Sequence, residues 1–455
     1  MNRLPNLLDS RIGRLAGFFL LYVCEGLPQG YAATAVALEF RRMGMTAEAI
    51  GSFAAFIMLP WAWKWAMGPV VDNLRLRRFG RRKQWIVITQ LGMMLTLVAA
   101  LLVFPKAVEA ADGLKTFHGL ALFSWMLLAH SVCAATQDVA IDALACDTLG
   151  EKERGTANGM MFAGAQLGAA IGGSGVLFLK GVLGFSLASL LPPLCLLMVL
   201  VLVVMLVREP KAAPIAVGDR MALIDVCRAI AGYLRITLRV FLTTKRGFLS
   251  LLCAVIPFGG MALSLTVSTV ISPTLGMSDG EIAKLALVTS IVFTLCCMLG
   301  GLLSDRFGRR LTLTVFSLGT LLPTLWIGWR LKQEGWITPS GASADGTWPR
   351  HEALIQAWWI ASVVYVLFQG LMYGIRTAFF MDLIEPRIAA THFTACMALM
   401  NLVTIYCYWW QGKAITPAAE GGWGFSYQQI FLLDAVLGGL FVVLLPFVRK
   451  RESNT

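Results

Sequence analysis

Two aspartates one helical turn apart, Asp138 and Asp142 in ATQDVAIDALACD (135–147), stand in an otherwise apolar stretch. On a helix they lie about 40° apart around the axis and about 6 Å apart along it, on one face. Two carboxyls this close in a low dielectric do not cheaply both ionise, so the pair is suited to taking up and releasing a proton. Lys64, set among Trp61, Trp63 and Trp65 in LPWAWKWAMGPVVD (59–72), is the cation able to pair with either aspartate. A permanent Asp138–Lys64 ion pair of structural role is the competing reading. Glu25 raises the same question in CEGLPQGY (24–31), where a carboxylate, two glycines and a proline interrupt an apolar run. A carboxylate facing lipid is costly, so Glu25 is expected to face water or cargo, with Pro28 and the glycines loosening the helix where it bends. The alternative is a kinked helix in which Glu25 is protonated and bonded to a neighbour. These three carboxyls, Asp138, Asp142 and Glu25, are the proton-coupling candidates.

Cargo recognition needs a different set of side chains. Lys64 and Arg376 are the intramembrane cations expected to meet an anionic group, and Gln137, Gln166, Gln369, Tyr373 and Asn401 are the expected polar lining. His130 is read as a packed histidine before a proton relay. The sequence has no H-E-x-x-H, no G-x-S-x-G, no G-x-x-x-x-G-K-[ST] and no Cys/His spacing suited to a metal, so no catalytic residue, metal or cofactor is expected. Most of the ten cysteines fall in apolar runs and read as small packing residues.

The elements that position these groups follow from composition. Hydrophobic residues make up 57% of the 455 and charged ones 14%, and apolar runs of about 20 residues recur, so lipid is the main solvent. Such runs read as helices and not as a β-barrel. Twelve spans are expected, at about 14–37, 47–70, 84–104, 119–147, 156–180, 185–207, 247–272, 281–303, 311–330, 353–381, 391–413 and 427–448. With the N-terminus inside, 26 of the 38 Lys and Arg fall in inner segments against 9 in outer ones, so both termini are expected to be cytoplasmic. The net charge of +12 is then a basic rim at the membrane surface, not a nucleic-acid footprint. The first apolar run reads as an uncleaved anchor.

The chain repeats itself. GPVVDNLRLRRFGRRK (68–83) follows the second span and GGLLSDRFGRR (300–310) the eighth, placing Asp72 and Asp305 233 residues apart. CDTLGEKERGTANG (146–159) and MDLIEPRIAATHFT (381–394) close the fourth and tenth spans, with Asp147 and Asp382 235 apart. Two marks at nearly one offset imply two six-helix halves, 1–207 and 247–455, joined by a basic cytoplasmic linker, 208–246. By angle Asp147 lies about 180° from Asp138, a different face suited to a latch.

The run Gly301-Leu302-Leu303-Ser304-Asp305-Arg306-Phe307-Gly308-Arg309-Arg310 resembles the G-x-L-x-D-R-x-G-R-R signature of the major facilitator superfamily. EGLPQGY, LPWAWKWAMGPVVD, ATQDVAIDALACD and ATHF (390–393) resemble its peptide–acetyl-coenzyme A transporter branch, which includes AmpG-type muropeptide permeases, acetyl-CoA transporters and siderophore importers. The resemblance implies an all-α polytopic membrane protein with twelve transmembrane helices in two pseudo-symmetric halves. It also implies a cytoplasmic gate from Asp72, Arg81, Arg82, Asp147, Arg154, Gly301, Asp305, Arg306, Gly308 and Arg309. The expected activity is that of a secondary active transporter of the bacterial inner membrane, importing an amphiphilic solute such as an anhydro-muropeptide with protons by rocking of its halves. A siderophore or acyl-CoA transporter of the same fold is the alternative, and a membrane-bound sensor or an acyltransferase using His130 and Asp138 are the readings of another class. Expected partners are the small-molecule substrate, protons and the lipid bilayer, with no nucleic acid, and the chain is expected to act as a monomer.

Overall fold

A computed structural model describes residues 6–73, 80, 82–109, 115–149, 154–209, 223–337, 348–383 and 389–447. Helices dominate, because in hydrocarbon each backbone amide must be satisfied within its own segment. In chain order they are α1 (Arg11–Gly30), α2 (Ala37–Arg42), α3 (Ala47–Ala62), α4 (Met67–Asn73), α5 (Lys83–Leu102), α6 (Leu120–Thr148), α7 (Arg154–Ala170), α8 (Val176–Leu183), α9 (Phe185–Ala188) and α10 (Leu191–Leu206). They continue with α11 (Leu223–Thr243), α12 (Lys245–Val255), α13 (Thr266–Thr274), α14 (Asp279–Phe307), α15 (Arg309–Gln333), α16 (Glu352–Leu383), α17 (Ala389–Ile415) and α18 (Tyr427–Leu444). Among the described residues the strands are one antiparallel hairpin, β1 (Lys106–Glu109) with β2 (Lys115–His118), in which Lys106 pairs with His118.

Nine helical segments among the described residues are long and apolar enough to cross a bilayer. The other three expected spans are interrupted. The first runs from α1 through a π turn at Tyr31–Val36 into α2. Pro28 lies just before the widened turn and lacks the N–H that would bond back to residue 24. The second span breaks after Pro60 into a 3-10 turn at Lys64–Ala66. The seventh opens across residues 256–265, between α12 and α13, where Gly259 takes φ 77°. Helix starts at α14 and α18 carry capping boxes, Ser278 with Glu281 and Ser426 with Gln429.

The chain forms two compact units: Met1–Tyr31 with Ile57–Ile236, and Ala32–Phe56 with Thr237–Thr455. In the first, α1 and α7 pack backbone to backbone. A Cβ built on Gly26 or Gly30 would overlap the Ala165 or Ala169 carbonyl, and one on Gly168 or Gly172 would overlap the Val23 or Leu27 carbonyl. Small residues four apart on each helix permit this approach, which supplies van der Waals contact where lipid offers no hydrophobic drive. In the second unit, Trp358, Tyr365, Ile327 and Phe431 fill one core, and Phe258, Phe379, Phe380 and Phe441 fill another.

Candidate functional site

The close fit of α1 on α7 fixes the rotation of α1 and therefore the placement of Tyr22 and Glu25. Tyr22 is buried, and its Oη donates to Asp142 Oδ1 at 2.8 Å and reaches Asp138 Oδ1 at 3.4 Å. From the 3-10 turn between α3 and α4, Lys64 Nζ meets the other oxygen of Asp138, Oδ2, at 2.6 Å. Lys64 also lies 5.9 Å from the Trp61 ring centroid. Asp138 is only 3% exposed, whereas Asp142, one turn along α6, is exposed. Glu25 is half-buried and within charge reach of Asp138, Lys64 and Asp142. Its Oε2 is buried with no hydrogen-bond partner among the described residues.

Three carboxyl groups thus gather near one ammonium. If all three ionised, two negative charges would stand uncompensated in a poorly solvated place, so protons are the natural complement. Exposure is graded along α6: Asp142 is the more exposed carboxyl, Tyr22 contacts both aspartates, and Asp138 is the more buried.

Not every expected residue joins this group. Gln137 faces α5, donating from Nε2 to Gln90 Oε1 at 3.1 Å and to the Ile86 carbonyl at 3.3 Å. Gln166 is half-buried on α7. His130 also turns to α5, with Nδ1 3.0 Å from the Met93 carbonyl oxygen and 3.3 Å from Thr96 Oγ1.

Of the residues expected at a gate, Arg82 Nε pairs with Asp147 Oδ2 at 3.2 Å. Glu209, which the motif reading did not single out, accepts from the backbone N–H groups of Arg82 and Lys83 and so closes the start of α5. Gly308 ends α14 with φ 86°, a conformation that favours glycine. Arg306 is exposed, with Cζ 5.7 Å from the Phe307 ring centroid, and Arg309 is half-buried; Gly301 has open space where a Cβ would stand. The side chains of Asp72, Arg154 and Asp305, and all of Arg81, lie outside the described residues.

In the second unit Arg376 projects from α16, with Cζ 4.0 Å from the Tyr373 ring centroid. Among the described residues it has no carboxylate partner. Gln369 Nε2 donates to Tyr365 Oη at 2.9 Å, and Asn401 is half-buried on α17. Asp434 was not among the expected residues, although it is the one acidic residue of its apolar run. Its Oδ2 accepts from the N–H groups of Met261 and Ala262 at 2.8 and 3.0 Å. Thr320 Oγ1 accepts from Gly260 N at 3.0 Å and Tyr365 Oη donates to the Gly260 carbonyl at 2.8 Å, so the opened backbone is held by three side chains. That satisfies polar groups which a broken membrane helix would otherwise expose.

The family model of the Major Facilitator Superfamily matches residues 18–406. The chain is similar to the anhydromuropeptide permease of Escherichia coli strain K12, at 24% identity over 450 residues covering 95% of this chain and 79% of the permease. Among solved structures, it resembles the D-xylose-proton symporter, with a TM-score of 0.65 and 13% identity over 97% of this chain and 99% of that one. The nucleoside transporter NupG gives a TM-score of 0.61 at 13% identity, covering 95% of this chain and 99% of NupG. At these identities the solved structures show the fold.

Proposed function

Because the chain belongs to the Major Facilitator Superfamily and is a multi-pass membrane transporter of small molecules, not an enzyme, we propose that it imports an amphiphilic, anionic solute together with protons. The first cargo to consider is an anhydro-muropeptide, named from the permease it resembles. The observation that carries the reading is the gathering of Asp138, Asp142, Glu25 and Tyr22 around Lys64.

Coupling arises from competition for Lys64. With Asp138 ionised, Lys64 is held in the 2.6 Å pair. A proton arriving through Asp142 and Tyr22 neutralises Asp138 and frees the ammonium to hold an anionic group of the cargo. When cargo leaves, Lys64 reclaims Asp138 and the proton departs. Proton and cargo therefore bind together, and neither crosses profitably alone, which is the differential binding that coupling requires. One proton carried with one anionic group moves no net charge, so that cycle is driven by the pH gradient. A further proton held by Asp142 or Glu25 would add one net charge, for which a potential of about 100 mV supplies roughly 2.3 kcal/mol, or about 50-fold accumulation.

Arg376 is the second anion site, since a guanidinium forks onto a carboxylate or phosphate and its face already stacks on Tyr373. Gln166 in the first unit and Gln369 and Asn401 in the second are the polar side chains proposed to meet cargo, and the Arg82–Asp147 pair, Asp72 and Asp305 are the residues proposed for gating. On this reading the chain works as a monomer in the bacterial inner membrane, and the bias of Lys and Arg toward its inner segments favours both termini in the cytoplasm.

The test is uptake by the purified protein in liposomes of a labelled anhydro-muropeptide, a ferric siderophore and acetyl-coenzyme A, with and without an inward proton gradient. Gradient-dependent accumulation of the muropeptide is the expected result. Accumulation of either other cargo in its place would reassign the substrate, and accumulation indifferent to the gradient would remove proton coupling.

A further inference from the structure

The helix α11 is long enough to cross a membrane, but it is not among the nine segments apolar enough to do so. Arg228, Arg235 and Arg239 fall within about 40° of one another around its axis, and all three are exposed. Beside this row, displaced by roughly 20–140° around the wheel, runs a stripe of Leu234, Leu238 and Leu242, which are 39%, 54% and 70% exposed. A third side is buried: Thr237 and Phe241 are 6% and 4% exposed.

The C-terminal end of the buried side is seated. Phe241 meets His392 edge to face, with ring centroids 5.2 Å apart, and His392 Nε2 lies 2.6 Å from Ser250 Oγ. A Cβ on Gly247 would overlap the Val240 carbonyl, so α12 starts in backbone contact with the end of α11. Thr244 Oγ1 accepts from Gly247 N at 2.9 Å and fixes the corner between the two helices. Packing at this end fixes the rotation of α11 where α12 begins, and on that rotation the leucine stripe and the arginine row are exposed.

We propose that α11 is an interfacial helix that seats on anionic phospholipid, with Leu234, Leu238 and Leu242 at the acyl boundary and Arg228, Arg235 and Arg239 among the phosphates. Charge and apolar complementarity both favour this seat. A row of cations flanking an apolar stripe matches the layered chemistry of a leaflet, apolar below and anionic above. The basic segment that contains α11 is the one assigned to the cytoplasmic side, where anionic lipid gathers Lys and Arg. A cytosolic protein offers no reason for the two stripes to lie side by side at the start of a span. Seated this way, α11 would anchor the corner from which α12 enters the bilayer.

The test is amide hydrogen exchange over residues 231–243 of the full chain in nanodiscs of phosphatidylcholine alone or mixed with phosphatidylglycerol. Exchange is expected to be slower in the anionic discs. The triple variant R228Q/R235Q/R239Q should lose that preference, by about fivefold per arginine and about a hundredfold in all. Amides of α14 serve as the fold control, and Leu238→Gln should speed exchange in both kinds of disc. Equal exchange of the native chain in the two discs would overturn the proposal whatever the variants do. So would protection that appears in detergent with inorganic phosphate alone, or only on adding cytosolic protein.

Discussion

Lys64 Nζ stands 2.6 Å from Asp138 Oδ2 while Tyr22 approaches the other oxygen of the same carboxylate at 3.4 Å. One aspartate thus holds a cation and a hydroxyl at once, and a change in its charge is felt on both α1 and the turn after α3. Replacing Asp138 by Asn leaves Lys64 without its ion-pair partner, and breaking a mostly buried pair from one side costs about 3 kcal/mol. Asp138→Asn should abolish gradient-driven accumulation and lower thermal stability. The double variant Asp138→Asn/Lys64→Gln should recover the stability without the coupling. Uptake and melting measured on the same preparations separate the two effects, and a coupled double variant would contradict the assignment.

The glycine face between α1 and α7 has no room for side chains. Gly26→Leu or Gly168→Leu must push the helices apart, at a cost of roughly 1–3 kcal/mol from overpacking. The expected outcome is a lower melting temperature in detergent and displaced Tyr22 and Glu25. Gly159→Ala, where open space surrounds the position, should leave the melt unchanged, and similar melts for all three would refute close packing.

Arg376 should govern cargo affinity and leave the proton step alone. Removing a guanidinium proposed to fork onto an anion should weaken binding about tenfold or more. Equilibrium binding of labelled cargo to Arg376→Gln and Arg376→Lys is the check, with Lys intermediate because it keeps the charge and loses the fork. Native affinity in Arg376→Gln would exclude it from the site.

Asp434 holds two backbone N–H groups of the opened segment between α12 and α13. Asp434→Asn retains an acceptor and should be tolerated. Asp434→Leu should cost about 1–3 kcal/mol by leaving buried donors unpaired. Hydrogen exchange at residues 259–265 reads this directly, and unchanged exchange in Asp434→Leu would mean that the carboxylate does not hold the break.

Much of the machine was legible in the sequence for physical reasons. Hydropathy runs give spans because lipid forces helices, and the i, i+4 spacing of Asp138 and Asp142 places both on the face that Tyr22 meets. Other features needed the fold. Gly26 and Gly30 read as looseners of a helix, yet they serve its contact with α7; the partner pattern, Gly164, Gly168 and Gly172, carried the signal at the same spacing of four. Gln137, expected in the polar lining, is the immediate neighbour of Asp138, and one residue turns it about 100° around the helix toward α5. The break at 256–265 was written in Pro257, Gly259 and Gly260, and the lone Asp434 in an apolar run was the complementary sign. Glu209 closing the start of α5 depends on chain distant in sequence, for which local pattern has no signature.

Proton movement driven by cargo alone is the most direct measurement of coupling. Proteoliposomes with no imposed pH gradient, loaded with a trapped pH dye and given an inward gradient of labelled anhydro-muropeptide, should acidify inside as cargo enters. Asp138→Asn and Asp142→Asn should abolish or sharply reduce that acidification. Cargo entry at the native rate with no acidification, or acidification undiminished in both variants, would contradict proton coupling through this carboxylate pair.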